Sequence, residues 1–234
     1  MQNQSQLNSS DLQRQTLRLY GELVARHERW GGKLVFACGE GSSVSGLSAA
    51  VSIAGGTSLV VDPDMAAVKT VLRQGGVDFI VNSLDEALRT LKNEIRQKRA
   101  LGVALVAQPS AVLSEMKERG VLPDLQVQFG EFVQSGIEDD LKALLGMERL
   151  KLLQQSGAVL PSPQLSAWLS ARKWHETLLG TATHASDAAL LATDAFSNGP
   201  RRAWLRGISR YQRLPDRAPR FVWLTDDEEK LLAG

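Results

Sequence analysis

The sequence predicts an α/β fold, a doubly wound parallel sheet with helices on both faces, and three observations carry that reading. Short apolar runs alternate with longer amphipathic stretches, the runs are apolar at nearly every position, and glycine, proline or a capping residue marks most junctions. A strand apolar on both sides is covered on both sides, as in parallel sheets. Repeated strand–helix units then call for parallel strands joined by crossover helices. With 234 residues and 43% hydrophobic content, the chain is long enough for one sizeable core. The expected organisation is a disordered polar tail over residues 1–10 and a single domain over 11–234, whose stretch 160–234 is more irregular and helical.

The elements follow in order. Leu12, Leu19, Leu23 and Val24 recur at helical spacing between Asp11 and Glu28, with Ser10 or Asp11 as the cap. Trp30, Gly31 and Gly32 break that pattern before a strand over Leu34–Cys38. Residues 39–46 read as a glycine- and serine-rich loop, followed by a helix over 47–54. Strands are expected at 58–61 and 77–81, and helices at 64–74 and 83–99, the latter opened by a capping box of Ser83 and Glu86. A strand over 103–107 leads to a helix over 109–119, begun by Pro109 and stopped by Gly120, and then to a short strand over 125–127. Further on, helices are expected over 138–155 and 164–179, with a last strand at 158–160 between them. Asn198, Gly199 and Pro200 mark a turn, Pro215 and Pro219 bracket a loop, and Phe221–Leu224 is a short apolar segment.

Composition excludes several classes. A net charge of +1 gives no overall pull toward nucleic acid or membrane. The single cysteine, Cys38, rules out an internal disulfide and any multi-cysteine metal site, which fits a reducing, cytoplasmic location. Residues 1–10 lack the basic and apolar regions of a secretory signal. No stretch reaches the roughly 20 apolar residues that span a bilayer, so a soluble protein is expected. His27, His175 and His184 are too scattered for a metal motif, and no nucleophile elbow follows a strand.

The loop after the first strand carries the chemistry. Gly39 and Gly41 allow a tight turn close to a pyrophosphate, helix amides meet its charge, and Ser42, Ser43 and Ser45 add hydroxyls. Val44 stands where the usual fingerprint has a third glycine, and Glu40 puts a carboxylate nearby. The competing reading is an empty turn kept glycine-rich by geometry. Asp62, about twenty residues further on, stands where a carboxylate accepts hydrogen bonds from ribose. It equally suits a turn and helix cap with Pro63 and Asp64. Near the other end, Arg201, Arg202, Arg206, Arg210, Arg213, Arg217 and Arg220 interleave with Trp204, Tyr211, Phe221 and Trp223. This is either a solvated face pairing with Asp226, Asp227, Glu228 and Glu229, or a surface for a protein partner or second copy through Arg201, Trp204, Arg206, Arg210 and Arg213. A membrane is not expected there, and nucleic acid is not favoured.

The loop, Asp62 and several further segments resemble urocanase, urocanate hydratase, in its central NAD domain. The likeness runs through Leu17 to His27, Gly31 to Val35, Ala49 to Leu59, Asn82 to Leu88, Ala111 to Leu113, Arg119 to Asp124 and Gln155 to Val159, and more faintly through Trp204–Leu205 and Pro219 to Leu224. The resemblance implies a Rossmann-like fold, a place in histidine metabolism, and NAD held by Gly39, Gly41, Ser42, Ser43, Val44, Ser45, Asp62 and Gln108, with no metal. In that family NAD acts as an electrophile on the substrate's imidazole rather than as a hydride acceptor. The departures are the lower glycine content of the loop, Asp62 for a family Glu, Ala67 for a cofactor-contacting Arg, Gln108–Pro109 for Asn-Ala, and Gln128–Phe129–Gly130–Glu131 for a polar segment. The family's catalytic regions flank this domain, and Cys38 does not correspond to their active-site cysteine. The expectation is therefore an NAD-binding domain with no catalytic residue of its own and no urocanate hydration by itself. The alternatives are an interaction or regulatory module that has lost the cofactor, and one subunit of a split hydratase.

Overall fold

The computed structural model describes residues 2–39, 41–129, 148–151, 154–155, 158–180, 186–197, 199–215 and 218–233. Six strands form one parallel sheet in the order β3-β4-β2-β1-β5-β6: β1 (Leu34–Cys38), β2 (Thr57–Asp62), β3 (Phe79–Val81), β4 (Leu101–Val106), β5 (Leu125–Gln128) and β6 (Glu148–Lys151). Helices α2 (Gly41–Ile53), α3 (Met65–Arg73), α4 (Leu84–Gln97) and α5 (Pro109–Glu118) connect them. The expected doubly wound sheet is thus present.

The continuous apolarity of the strands has the anticipated cause. In β1, Val35 and Ala37 join a core that contains Val44 and Leu47 of α2 and Val68 and Val71 of α3. Leu34, Phe36 and Cys38 point into a second core with Leu84, Ala87, Leu88 and Leu91 of α4 and Val112 and Met116 of α5. Burying side chains of both registers on two faces is what commits such a segment to a central strand.

Helix starts match the capping chemistry. Ser83 accepts from the Glu86 amide, and Glu86 reaches back to the Asn82 amide. Asp64 caps α3 through the Ala66 amide. Pro109 opens α5, and Gly120 adopts φ +64 just beyond its end.

A further layer lies over α2. Helix α1 spans Gln2–Arg26, starting within the expected tail: no glycine or proline interrupts residues 2–10, so the polar stretch continues the helix toward the N-terminus. A Cβ at Gly46 of α2 would stand 3.0 Å from the Thr16 hydroxyl, tighter than most such contacts, so glycine there lets α1 approach closely. The remaining elements are β7 (Gln154–Gln155), β8 (Ala158–Val159), α6 (Pro163–Ser170), β9 (His175–Leu179), α7 (Asp187–Leu191), a short 3-10 turn (Asp194–Phe196), α8 (Gly199–Tyr211), β10 (Arg220–Leu224) and α9 (Asp226–Ala233).

Two expectations fail here. The helix expected over 138–155 is replaced at Glu148–Lys151 and Gln154–Gln155 by strands, its other residues lying outside the described ones. The helix expected over 164–179 stops at Ser170. Lys173 takes a left-handed backbone, φ +55, and His175–Leu179 pairs antiparallel with β10. Both segments carry helical periodicity, but distant pairing decides their form.

The C-terminal elements are fastened by individual side chains. Gln13 of α1 donates to the Pro219 carbonyl at 3.0 Å and accepts from the Phe221 amide. Trp204 donates to the Phe221 carbonyl at 2.7 Å, so the outer edge of β10 is met by side chains rather than by another strand. Buried Glu22 binds Arg26 at 2.6 Å and accepts from the amide and hydroxyl of Ser162 at 2.7 and 2.8 Å. Tyr20, Trp168, Trp174, Trp204 and Trp223 pack ring to ring with centroids 5.4–6.2 Å apart. Burial pushes the Tyr20 phenol well above its ordinary range, and its hydroxyl donates to the Pro200 carbonyl.

Candidate functional site at the strand ends

In a parallel sheet, ligands sit beyond the carboxyl ends of the strands, where the strand order reverses. Here the reversal falls at β1, with β2 on one side and β5 on the other. Register aligns the rim. Cys38 stands opposite Val61 and Gln128, and Asp62 opposite Val106. The next residues along therefore form a row, Asp62 beside Gly39 beside Phe129, with neighbouring strands about 4.8 Å apart. The expected turn and acid are adjacent in space.

The turn is tighter than the sequence suggested. Instead of a loop over 39–46, α2 begins at Gly41. Gly39 adopts φ +119, and a Cβ there would collide with the Phe129 carbonyl. The strand thus runs almost directly into the helix, which sets the first turn of α2, the positive end of its dipole, at the rim. A consequence is that Ser43, Val44 and Ser45 belong to the helix body and are buried. Ser45 packs against Gly76, and Val44 is 1% exposed in the core. These three do not line an open loop, because the helix starts too early. Gly41 opens the helix beside Ser42, whose side chain lies outside the described atoms, as does Glu40.

Asp62 is half-buried and does what both readings asked of it in part. One oxygen accepts from the Asp64 amide at 2.7 Å, an Asx turn that sets up the Asp64 cap of α3. The other oxygen accepts nothing from the described residues. Gln108 is exposed at the start of α5 and makes no side-chain cap. The neighbouring Ala107 amide donates to the Asp62 carbonyl at 3.2 Å, joining this corner to the rim. Met65, 44% exposed beside the acid, went unnoticed in the sequence because it reads as an ordinary first-turn residue.

Away from the rim, Cys38 is buried at the end of β1. His27 packs against Trp30, His184 lies outside the described residues, and His175 lies 3.4 Å from Asp226 and 2.9 Å from Glu229. Among the described residues no group of three or more His, Cys, Asp or Glu is placed to hold a metal, and no helix is long and apolar enough to cross a membrane.

The arginine cluster divides. Arg201 binds Glu228 at 2.6 and 3.0 Å and lies over Trp174. Burial pushes the Glu228 carboxyl up, but the bonds from Arg201 and Thr225 outweigh that and hold it below the ordinary glutamate range. Arg202 donates to the carbonyls of Leu191 and Phe196. Arg220, fully buried, binds Asp187 at 2.8 Å, Ser209 at 3.0 Å and the Pro215 carbonyl at 2.6 Å. Trp204 is buried too. Arg201 and Trp204 make these contacts within the fold. Arg206, Arg210 and Arg213 remain exposed, while Arg217 lies outside the described residues.

Residues 15–129 match the urocanase Rossmann-like domain model, a span running from α1 through the glycine turn and Asp62 to Phe129. The fainter later likenesses lie outside that span. Among solved structures, the chain is similar to the C-terminal domain of precorrin-6Y C5,15-methyltransferase from Rhodobacter capsulatus, with 18% identity over 67% of this chain and 71% of that one and a TM-score of 0.37.

Proposed function

Because residues 15–129 match the urocanase Rossmann-like domain model, we propose that this chain binds an NAD-type nucleotide at the strand-end rim and does not hydrate urocanate by itself. The observation that carries the reading is the juxtaposition of the Gly39 turn, the start of α2 and Asp62. Free amides at a helix N-terminus favour a pyrophosphate. The second carboxylate oxygen of Asp62 is available to a ribose hydroxyl, while the first holds the corner in shape. Gly41 and Ser42 stand beside the phosphates in this reading, and Gln108 beside the adenosine. Of the family's cofactor, NAD supplies the electrophile for substrate activation. This chain's own residues bind and orient it, and the described rim offers no acid–base pair for water addition.

Burial of Ser43 and Ser45 and the local bond made by Asp62 favour a second reading, an interaction module that keeps the fold without the cofactor. Calorimetry on the purified protein separates the two. Asp62→Ala should weaken NAD binding by roughly 1–3 kcal/mol, the cost of an unpaired buried polar group. Asp64→Ala removes only the helix cap and should leave affinity unchanged. Absence of any binding by the parent protein selects the module. Loss of the urocanate ultraviolet band in the presence of protein and NAD, above a heat-killed control, overturns the statement on hydration.

A further inference from the structure

The exposed arginines of α8 meet no carboxylate among the described residues. Elsewhere arginines are largely committed: Arg14 and Arg18 to Glu176, Arg99 to Glu94, Arg119 to Asp85, Arg201 to Glu228 and Arg220 to Asp187. Arg206, Arg210 and Arg213 make no ion pair with a described residue, and neither do exposed Lys69 and Arg73 of α3.

These five gather at one corner. A Cβ on Gly75, two residues beyond Arg73, would collide with the Tyr211 carbonyl, and one on Gly207 would collide with Ile53 at the close of α2. Helix α8 therefore crosses the C-terminal ends of α2 and α3, and its last turn carries Arg210 to the corner where Arg73 ends α3. Crossover helices run back along a parallel sheet, so this corner lies at the amino ends of the strands, away from the Gly39 rim. Arg73 and Arg210 each complement a helix C-terminus, but that accounts for one charge per helix. Lys69 with Arg73, and Arg206 with Arg210, are like charges four residues apart, an arrangement that costs stability. The Asp78 carboxylate is held on the Gly102 amide at 2.8 Å and pairs with none of them. A cationic surface kept at that cost gains when an anion covers it.

The complementary surface is on the same chain. Helix α9 opens with Asp226, Asp227, Glu228 and Glu229. Glu228 and Glu229 turn to Arg201 and His175, whereas the side chains of Asp226 and Asp227 are 86% and 94% exposed. One turn on from Asp227, Leu231 is 82% exposed. Arg201, which holds α9, and Arg210 are separated by roughly 14 Å along the axis of α8. Acidic and basic ends are thus set apart on one body whose net charge is only +1.

We propose that these ends pair between copies of the chain: the exposed face of α9 on one copy docks, head to tail, on the surface formed by Lys69, Arg73, Arg206, Arg210 and Arg213 of the next. Asp226 and Asp227 meet the cations, and Leu231 lies against the aliphatic stems of the arginines and the half-buried Tyr211 ring. The contact is heterologous, so it repeats from copy to copy.

Sedimentation velocity of the protein tests this. In about 0.1 M salt the parent should form dimers and longer species, and in about 1 M salt, where screening shortens from about 10 Å to about 3 Å, it should run as a monomer. Arg206→Glu with Arg210→Glu, and separately Asp226→Lys with Asp227→Lys, should each weaken association at least about tenfold, with thermal midpoints close to the parent's. Mixing the two variants should restore association, because the acidic end left on the first meets the basic end left on the second. If a reversed variant melts early, Arg206→Ser with Arg210→Ser, or Asp226→Ser with Asp227→Ser, takes its place, and weakened association at an unchanged midpoint carries the same meaning. A parent that is monomeric in low salt, an association indifferent to salt or to either reversal, or a mixture that stays monomeric overturns the proposal. So does a monomeric parent that binds a labelled single-stranded oligonucleotide through these arginines, which assigns the surface to a polyanion.

Discussion

The sheet half of the molecule and the elements that follow it are stabilised by different physics. From Leu34 to Phe129, strands bury side chains on two faces against α2 and α3 on one side and α4 and α5 on the other. No single polar contact dominates there. From α6 onward the segments are short, and specific side chains hold them: Glu22 on Ser162, Gln13 on Pro219 and Phe221, Arg220 on Asp187 and Ser209, and the stacked tryptophans. Distributed burial writes itself into a sequence as periodicity, whereas point contacts do not.

The sharpest way to break this comparison is at Arg220. Replacing it by Met removes the cationic partner of the Asp187 carboxylate, which keeps the Ser209 hydroxyl as a donor, and the expected loss is roughly 3–5 kcal/mol of unfolding free energy by denaturant titration. Adding Asp187→Leu should restore much of that, since removing both partners costs less than removing one. A loss below about 1 kcal/mol for the single variant, the scale of an exposed ion pair, would falsify the view that this clasp organises the C-terminal region. The sheet half should respond more mildly to a comparable change. Leu59→Met conserves volume in a distributed core, and the cost should stay below about 1.5 kcal/mol in the same titration.

Acid titration sharpens the contrast further. Glu228 is held below the ordinary glutamate range in the folded protein. Its contribution is therefore complete above the unfolded value, about 4.3, and is lost as pH falls through the lower, folded value. Fluorescence of Trp174, which lies under Arg201, should change below the ordinary glutamate range, and in Arg201→Gln the change should move upward toward it. The smallest effect is expected at the exposed arginines. Arg206→Ser, Arg210→Ser and Arg213→Ser together should leave the thermal midpoint nearly unchanged, each within about 0.5 kcal/mol. If these residues serve a partner or second copy, light scattering should show the triple variant running smaller than the parent.

Legibility in the sequence followed the same division. β1 was placed at its observed bounds, and the Ser83 and Asp64 caps and the Pro109 start were readable because each rests on local chemistry. Strand order and spacing bring Gly39 beside Asp62. The early start of α2 was not readable. Ser42 to Gly46 reads as loop by composition, and only its packing against α1 and Gly76 makes it helix. Likewise, nothing near His175–Leu179 announces a strand, because its partner lies beyond two helices. The internal partners of Arg201 and Trp204 were equally unreadable, because the carboxylate and carbonyl they bind are distant in sequence.

The grip of α1 on β10 has a consequence for how the protein is made. Gln13 and its partner Pro219 are 206 residues apart, and Thr16 and Gln212 are 196 apart. At 5–20 residues per second, a ribosome needs roughly 10–40 seconds to deliver the second member of each pair after the first. Throughout that interval the sheet half can close behind the exit tunnel while one flank of α1, with Gln13 and Tyr20, still lacks its partners. The newborn chain therefore carries an unfinished α1, and chaperone occupancy should concentrate there until β10 emerges.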